Sequence, residues 1–230
     1  MVKTYNLAKE EKDTYEIKDT CEKECFSGED VLEHWNTRAK RKGVQAVMSA
    51  RHSLKENTLA TKKLQEDILK FLDGYISKKN IFELGFGIGR MTSKLAKNAE
   101  NVVGCDISPI MFEKAKRNLK GIKNIELHLG KITDFDFKRK SFDLVFESIV
   151  LLHILNKNEL KKTIDKMKSF SDKIFLCEHT YEGPDFPISK YSILRKVEEY
   201  EKLLKPYKLT CKKTHLCAGD NFTLMLFEKK

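Results

Sequence analysis

The chain has 230 residues, of which 40% are hydrophobic, enough for one α/β domain with an appendage. No apolar run approaches the roughly 20 residues that span a bilayer. The first 30 residues are charged and lack the apolar segment of a secretory signal, so we expect a cytoplasmic protein without membrane partners. The formal charge of +10 raises the question of a nucleic-acid partner. Because the lysines are scattered along the whole chain, a solvated lysine-rich surface explains this charge better.

The hydrophobic pattern divides the chain into three segments. Residues 1–28 are polar with few large apolar side chains, and we expect a flexible tail there. Residues 29–73 place apolar side chains at helical spacing and predict a helical cap or lid, which is too small to bury its apolar face alone. Residues 74–230 form the predicted core. Six cysteines show neither a CxxC pair nor zinc-finger spacing, so we predict no metal site.

Strands and helices alternate in the core segment. Apolar runs predict strands at 80–84, 101–105, 124–129, 142–148 and 172–178. Helical spacing predicts helices at 90–98, 108–120, 156–169 and 189–204. The alternation indicates an α/β fold with a parallel sheet and right-handed crossovers. Two final strands, at 207–214 and 221–228, are predicted to form an antiparallel hairpin that closes the sheet edge.

The most informative stretch is a strand, a glycine-rich turn and a helix start within residues 81–91. The strand contains Glu83, and the turn contains three alternating glycines, Gly85, Gly87 and Gly89. Glycine permits positive φ and a close ligand approach, and the next helix offers free N–H groups. Arg90 stands where a dinucleotide site needs a small residue, and a P-loop lysine is missing. Because Glu83 suits an ammonium group and Arg90 a carboxylate, we predict an amino acid joined to a nucleoside as the ligand.

These residues resemble motif I of class I S-adenosylmethionine-dependent methyltransferases, and the likeness extends over about residues 80–178. The resemblance implies a three-layer Rossmann-like sandwich with a mostly parallel seven-stranded sheet and an antiparallel C-terminal hairpin strand. It also implies S-adenosyl-L-methionine as the cofactor. On this basis, Asp106 at the end of the second strand would accept both ribose hydroxyls, and Ile107 would lie beside the adenine.

The sequence departs from this family after the third strand. Relatives often have Gly-Asp there, with the Asp bonding the adenine amino group, whereas this chain has Gly130 and Lys131. We therefore expect the backbone of Lys131 and Ile132, or the side chain of Asp134, to recognise the adenine. The Asn/Asp-Pro-Pro-Tyr/Phe motif that the family uses on exocyclic amines of bases is also missing. This absence disfavours a nucleobase as the methyl acceptor.

Two residues near the fourth strand are the candidate catalytic groups. The carbonyl of Glu147 could hold the cofactor's ammonium group while its carboxylate faces the acceptor. His153 could accept a proton as a neutral imidazole, although a purely structural hydrogen bond explains it equally well. Glu178 and His179, at the end of the fifth strand, are weaker candidates.

The cap contributes the remaining candidates. Trp35 could cover the methionine end of the cofactor, and Arg38 or Arg51 could reach its carboxylate. The alternative is that Trp35 simply packs into the core while the basic residues are solvated.

We predict a methyltransferase that acts on a small molecule or a peptide amine by in-line displacement, with N-methylation preferred over O-methylation. Two alternatives stay open. One is RNA methylation, suggested by the positive charge, and the other is a non-catalytic module that binds S-adenosylmethionine. The sequence identifies neither the acceptor nor the oligomeric state.

Overall fold

The computed structural model describes residues 28–48, 52–181, 186–189, 191–217 and 220–229. The expected tail up to residue 27 and the candidate Arg51 lie outside these ranges. Within the described ranges, no helix is long and apolar enough to cross a membrane.

Nine strands are present in the described residues. Their bounds are β1 Asn80–Leu84, β2 Asn101–Asp106, β3 Ile125–Leu129, β4 Leu144–Ser148, β5 Lys173–His179, β6 Phe186–Ser189, β7 Ser192–Leu194, β8 Lys208–Cys217 and β9 Asp220–Glu228. Seven of them form one sheet in the order β3-β2-β1-β4-β5-β9-β8, and β6 pairs with β7 separately. Strands β1 to β5 are parallel, whereas β9 is antiparallel to both β5 and β8. The predicted sheet and its closing hairpin are confirmed.

Six α-helices accompany the strands in the described chain. They are α1 Gly28–Ala39, α2 Leu54–Phe71, α3 Thr92–Leu95, α4 Pro109–Asn118, α5 Lys157–Phe170 and α6 Val197–Leu203. Short 3₁₀ turns occupy Gly43–Ala46, Ile132–Asp134 and Leu151–His153. Helix α2 begins with a capping box, in which Ser53 and Glu56 each accept the backbone N–H of the other.

Alternation along the central strands builds a core on each face of the sheet. Ile81 and Phe146 pack with apolar residues of α2 and α3 on one face. Phe82 and Val145 pack with α5 and α6 on the other face. The three-layer arrangement is therefore confirmed. Strands β2 and β3 lie on one side of β1, and β4 and β5 lie on the other side. Such a switch in the direction of strand order leaves a crevice at the carboxyl ends of β1 and its two neighbours.

The segment before α6 differs from the prediction. We expected one helix over 189–204, but β6 and β7 precede a helix that begins only at Val197. Ser192 and Leu194 are buried while Ile193 is half-buried, a period of two that suits a strand rather than a helix.

The thiols of Cys105 in β2 and Cys177 in β5 are free and buried, as the sequence pattern predicted.

Candidate functional site

A cavity opens at the carboxyl ends of β1, β2 and β4. Its empty volume is about 1180 Å³ when the open mouth is included. The predicted site residues on its wall are Trp35, Gly85, Gly87, Arg90, Asp106, Ile107, Lys131, Ile132 and His153. The fold thus gathers residues from the cap, the glycine turn and three strand ends. The predicted residues that do not line the cavity are Arg38, Glu83, Gly89 and Glu147.

The glycine turn is closely covered by two valines. Gly85 has a φ of +70°, and a Cβ atom there would lie 2.4 Å from Cγ2 of Val150. At Gly87, with a φ of +55°, a Cβ atom would lie 2.9 Å from Cγ1 of Val47. Both positions require glycine, because a side chain would enter space that the valines occupy at the cavity wall. Gly89 has a different role, since a Cβ atom there would lie 2.8 Å from Cδ1 of Leu119, the residue that follows α4.

Asp106 joins the glycine turn to the end of β2. Its Oδ2 accepts the N–H of Gly87 at 2.8 Å, and its Oδ1 accepts the N–H of Ser108 at 2.9 Å. Burial raises the pKa of Asp106 to about 6, so the carboxylate is charged at neutral pH. Each carboxylate oxygen can accept more than one hydrogen bond. Asp106 can therefore accept ligand hydroxyls without releasing the turn.

Glu83 lies beneath the turn instead of on the cavity wall. Its side chain is only 2% exposed, and the Thr92 hydroxyl donates to its Oε2 at 2.6 Å. Burial raises the pKa of Glu83 to about 7. Glu83 points to the same face of β1 as Ile81, toward α2 and α3. The expectation of a direct contact with a ligand's ammonium group is thus corrected, because the carboxyl group anchors the start of α3.

Arg90 is a cation on the cavity wall. One of its guanidinium nitrogens donates to Oγ of Ser148 at 3.3 Å, which directs the side chain across to the end of β4. Its carbonyl accepts Nε2 of Gln65 at 2.7 Å, so α2 holds the backbone at this point. This placement agrees with the predicted position for a ligand carboxylate.

The loop after β3 forms another part of the wall. Lys131 and Ile132 line the cavity, as predicted. Asp134 turns back, because its Oδ2 accepts the N–H of Lys131 at 2.8 Å. The Lys131 ammonium group pairs with Oε1 of Glu159 at 2.6 Å. Recognition of the adenine by the side chain of Asp134 is therefore disfavoured. The backbone of Lys131 and Ile132 remains the predicted contact.

His153 is held as a neutral ring beside the tryptophan of α1. Its ring centroid lies 4.8 Å from that of Trp35 in an edge-on arrangement. Its Nδ1 is 2.8 Å from the carbonyl oxygen of Tyr191, which can only accept, so Nδ1 carries the proton. Burial, with positive charge from His34 and Arg38, lowers the pKa of His153 to about 4. At neutral pH Nε2 is therefore unprotonated in a ring that lines the cavity.

Arg38 supports the cap and does not reach the cavity. Its guanidinium group donates to the carbonyl oxygens of Gln45 and Ala46 in the 3₁₀ turn after α1, and of Met48 just beyond it. It also lies 5.4 Å from the ring centroid of Trp35. The expected contact with a ligand carboxylate is corrected, since Arg38 holds the turn and the indole together.

Glu147 also points away from the cavity. Its carboxyl group is fully buried and lies beside that of Glu178 on the neighbouring β5, because both groups accept the N–H of Val150. Its Oε1 accepts the N–H of Val150 at 2.5 Å. The expected orientation toward an acceptor is therefore corrected. Burial and the neighbouring Glu178 hold the pKa of Glu147 well above its usual range. His179 packs against Phe222, 5.4 Å between ring centroids, and does not line the cavity.

Several features of the site were not predicted from the sequence pattern. Ile149, on the cavity wall, has a φ of +64°, which is rare for a β-branched residue. Tyr191 and Arg195 reach the site from the segment that we expected to be helical. Among the described residues, no group of three His, Cys, Asp or Glu side chains is arranged to hold a metal ion.

Comparison with known proteins agrees with this geometry. Residues 81–171 match the family model of a methyltransferase domain. The chain superimposes on the N-methyltransferase NodS from Bradyrhizobium japonicum WM9, solved with S-adenosyl-L-homocysteine, with a TM-score of 0.70, 15% identity, and coverage of 86% of this chain and 98% of NodS. The predicted resemblance of this segment to a methyltransferase domain and the predicted fold are confirmed.

Two further relatives define the limits of this likeness. Magnesium protoporphyrin IX methyltransferase from Synechocystis PCC 6803 gives a TM-score of 0.71 at 16% identity and covers 89% of this chain and all of that protein. A phosphoethanolamine N-methyltransferase from Triticum aestivum is 32% identical over 108 residues, 46% of this chain. The match spans only 21% of that wheat protein. The similarity to these proteins therefore concerns the methyltransferase fold. It does not extend to their acceptor sites.

Proposed function

We propose that the protein is an S-adenosylmethionine-dependent methyltransferase that N-methylates a small molecule or a peptide amine. The observation that carries this proposal is the position of Asp106. This charged hydrogen-bond acceptor is fixed beside a turn that has no room for side chains at Gly85 and Gly87. A carboxylate suits two neighbouring hydroxyl groups, and a bare turn suits close contact with the rest of a nucleoside.

The wall residues fit S-adenosylmethionine part by part. Asp106 would accept the ribose hydroxyls, and Ile107 and Ile132 offer apolar surface for the adenine. Arg90 would bind the carboxylate.

The cofactor would supply a methyl group on a sulfonium, so the protein's task is to position the acceptor and exclude water. Trp35, Val47 and Val150 form an apolar wall that would exclude water. His153 is neutral and presents Nε2 as an acceptor. An amine bound there could donate an N–H to Nε2. This hydrogen bond orients the amine so that its lone pair faces the methyl group. The ammonium product then releases its proton to solvent, because an imidazole with a pKa of about 4 is a weaker base than an alkylamine.

N-methylation is preferred for two reasons. The low pKa of His153 makes it too weak a base to deprotonate a hydroxyl group, whereas a neutral amine already carries the lone pair that attacks. The wheat relative and NodS are both described as N-methyltransferases. O-methylation is the outcome to be compared with it in an acceptor screen.

Calorimetric titration with S-adenosylmethionine and S-adenosylhomocysteine tests the cofactor site. We expect wild-type protein to bind both, and Asp106→Asn to weaken binding at least about tenfold, because a neutral amide loses the charge-assisted bonds to the hydroxyls. Asp136→Asn removes an exposed carboxylate outside the cavity and serves as the control. Trp35 is the chain's only tryptophan, so its fluorescence gives a second readout at the cavity wall. Wild-type protein that binds neither compound at millimolar concentration would refute the proposal.

Turnover is a separate question from binding. Protein loaded with labelled cofactor and mixed with amines, phenols, peptides and RNA should label an amine. If both cofactor forms bind and no acceptor is labelled, the non-catalytic module replaces the enzyme as the best interpretation. Labelling of RNA instead would support the alternative suggested by the positive charge.

A further inference from the structure

The 3₁₀ turn Leu151–His153 follows a strained residue at the end of β4. Ile149 has a φ of +64°, a conformation that costs a β-branched residue about 1–3 kcal/mol. The conformation of Ile149 directs Val150 back over Gly85, and the 3₁₀ turn that follows places His153 on the cavity wall. Such a backbone conformation persists only where surrounding contacts fix it.

A buried carboxylate binds the N–H groups of this turn. Oε1 of Glu178 accepts from Leu151 at 2.7 Å, and from Val150 and Leu152 at 3.2 and 3.3 Å. Glu178 is fully buried and reaches the turn from the adjacent strand β5. One acceptor on three converging N–H groups fixes the start of the turn.

A buried arginine binds the carbonyl groups of the same turn. Arg195 is 3% exposed. It donates through one terminal nitrogen to the carbonyl of Leu151 at 2.9 Å and through the other to that of Ile154 at 2.8 Å. It follows β7, and β7 is preceded by Tyr191, whose carbonyl accepts from His153. The turn and the imidazole are therefore held by the same short segment.

The charges in this cluster balance only if one carboxyl group is protonated. Glu147 and Glu178 lie side by side, because the Oε1 atoms of both accept the N–H of Val150. No N–H or hydroxyl group of the described residues donates to either Oε2. Two buried carboxylates in contact would repel, so one proton lies between them. Glu178 accepts three N–H groups and lies near Arg195, whereas the Oε1 of Glu147 accepts one. The proton therefore belongs on Glu147 and the negative charge on Glu178.

We propose that Glu178 and Arg195 are positioning residues that fix the turn Leu151–His153, and with it the imidazole of His153, while Glu147 acts as the neutral partner that donates its proton to Glu178. The inference rests on the proposed function, because it assigns the residues that orient the proposed hydrogen-bond acceptor for the amine. It extends that function to three buried groups that touch neither cofactor nor acceptor.

The proposal makes the two glutamates unequal, and matched amide substitutions test this. Glu147→Gln mimics the protonated acid, because its amide can donate to Glu178 and accept from Val150. Glu178→Gln moves the negative charge to Glu147 and leaves the N–H groups of Leu151 and Leu152 facing a neutral amide. Arg195→Lys keeps the charge but cannot bridge two carbonyl groups as a planar guanidinium does.

Nitrogen-15 NMR of the imidazoles reports on the positioning without any acceptor. The chain has six histidines, and the His153 signals are assigned by their loss in His153→Gln. In wild-type protein we expect one Nδ1–H tautomer that does not titrate above about pH 5. Glu147→Gln should keep this signal. Glu178→Gln and Arg195→Lys should give a second tautomer or a raised titration midpoint.

General loosening of the fold is controlled by Tyr207→Phe. Tyr207 donates to the carbonyls of Lys168 and Ser171 at the far end of α5, so its loss destabilises the protein away from the turn. The His153 signal should not change in this variant. If Glu147→Gln alters the signal as much as Glu178→Gln, or if neither alters it, the positioning proposal is wrong. Binding of S-adenosylhomocysteine, measured on the same samples, tests the proposed function separately.

Discussion

At the scale of single residues, Asp106 couples the structure of the site to its charge. The same carboxylate accepts the N–H groups of Gly87 and Ser108 and lines the cavity. Burial is the main reason that its pKa rises, and the two N–H groups partly oppose this rise. A group with a pKa near 6 changes charge just below physiological pH, so ligand binding should follow its ionisation.

Cofactor affinity should therefore depend on pH. Only the ionised carboxylate accepts two hydroxyl bonds, and below about pH 6 the group becomes protonated. We expect the dissociation constant of S-adenosylhomocysteine to rise about tenfold between pH 7 and pH 5. Calorimetry over this range measures it.

Asp106→Asn is the control for this pH dependence, since an amide does not titrate. Its weaker binding should vary less than about twofold over the same range. An equally steep profile in this variant would assign the dependence to another group.

At the scale of elements, the glycine turn after β1 and the 3₁₀ turn after β4 form one packed unit. Val150 covers Gly85, and the main chain reaches this position through the positive φ of Ile149. Strands β1 and β4 are hydrogen-bonded neighbours, so their carboxyl ends bring the two turns into contact. The glycine is thus needed for packing between turns as well as for access by a ligand.

Gly85→Ala separates packing from backbone strain. Its Cβ atom would lie 2.4 Å from Val150, and its φ of +70° is unfavourable for alanine. We expect a loss of about 2–5 kcal/mol of unfolding free energy, from overpacking together with the left-handed conformation. Urea denaturation measures the loss.

Gly121→Ala is the matched control for this substitution. Its φ is +91°, and a Cβ atom there would meet nothing within 4 Å. It should lose only about 1–2 kcal/mol, from backbone strain alone. Equal losses in the two variants would show that contact with Val150 does not matter.

At the scale of the whole molecule, the domain carries acidic side chains with raised pKa values on the cavity wall and beneath it. Burial raises the pKa of Glu83 to about 7 and of Asp106 to about 6, and the pKa of the Glu147–Glu178 pair also rises. In each case the folded state binds protons more tightly than the unfolded state does. The protein therefore becomes less stable as pH rises through these values. His153 acts in the opposite direction, but only between about pH 4 and 6.5.

The free energy of unfolding should decrease from pH 5 to pH 8. Glu83→Gln keeps an acceptor for Thr92 without a titrating group, so its profile should be flatter by on the order of 2 kcal/mol over this range. Urea denaturation of both proteins at several pH values measures the difference. Parallel profiles would mean that Glu83 does not carry a raised pKa in the folded state.

The sequence by itself determined the fold and most of the cavity wall. Alternating apolar segments specify which elements form, and parallel strands leave their carboxyl ends at one edge of the sheet. Residues next to those ends, such as Gly85, Asp106 and Ile107, can therefore be assigned to the cavity wall from the sequence, and they line it. Trp35 was also placed on this wall, from the expectation of a lid.

Only the tertiary structure decided which acidic side chains face the cavity. A strand sends neighbouring residues to opposite faces, and the sequence does not state which layer covers each face. Glu83 therefore bonds Thr92 on one face, and Glu147 meets Glu178 on the other. The role of Arg195 depends on contacts across more than 40 residues, with the carbonyls of Leu151 and Ile154. Contacts of this kind arise from packing between distant segments, for which local sequence patterns carry no signal.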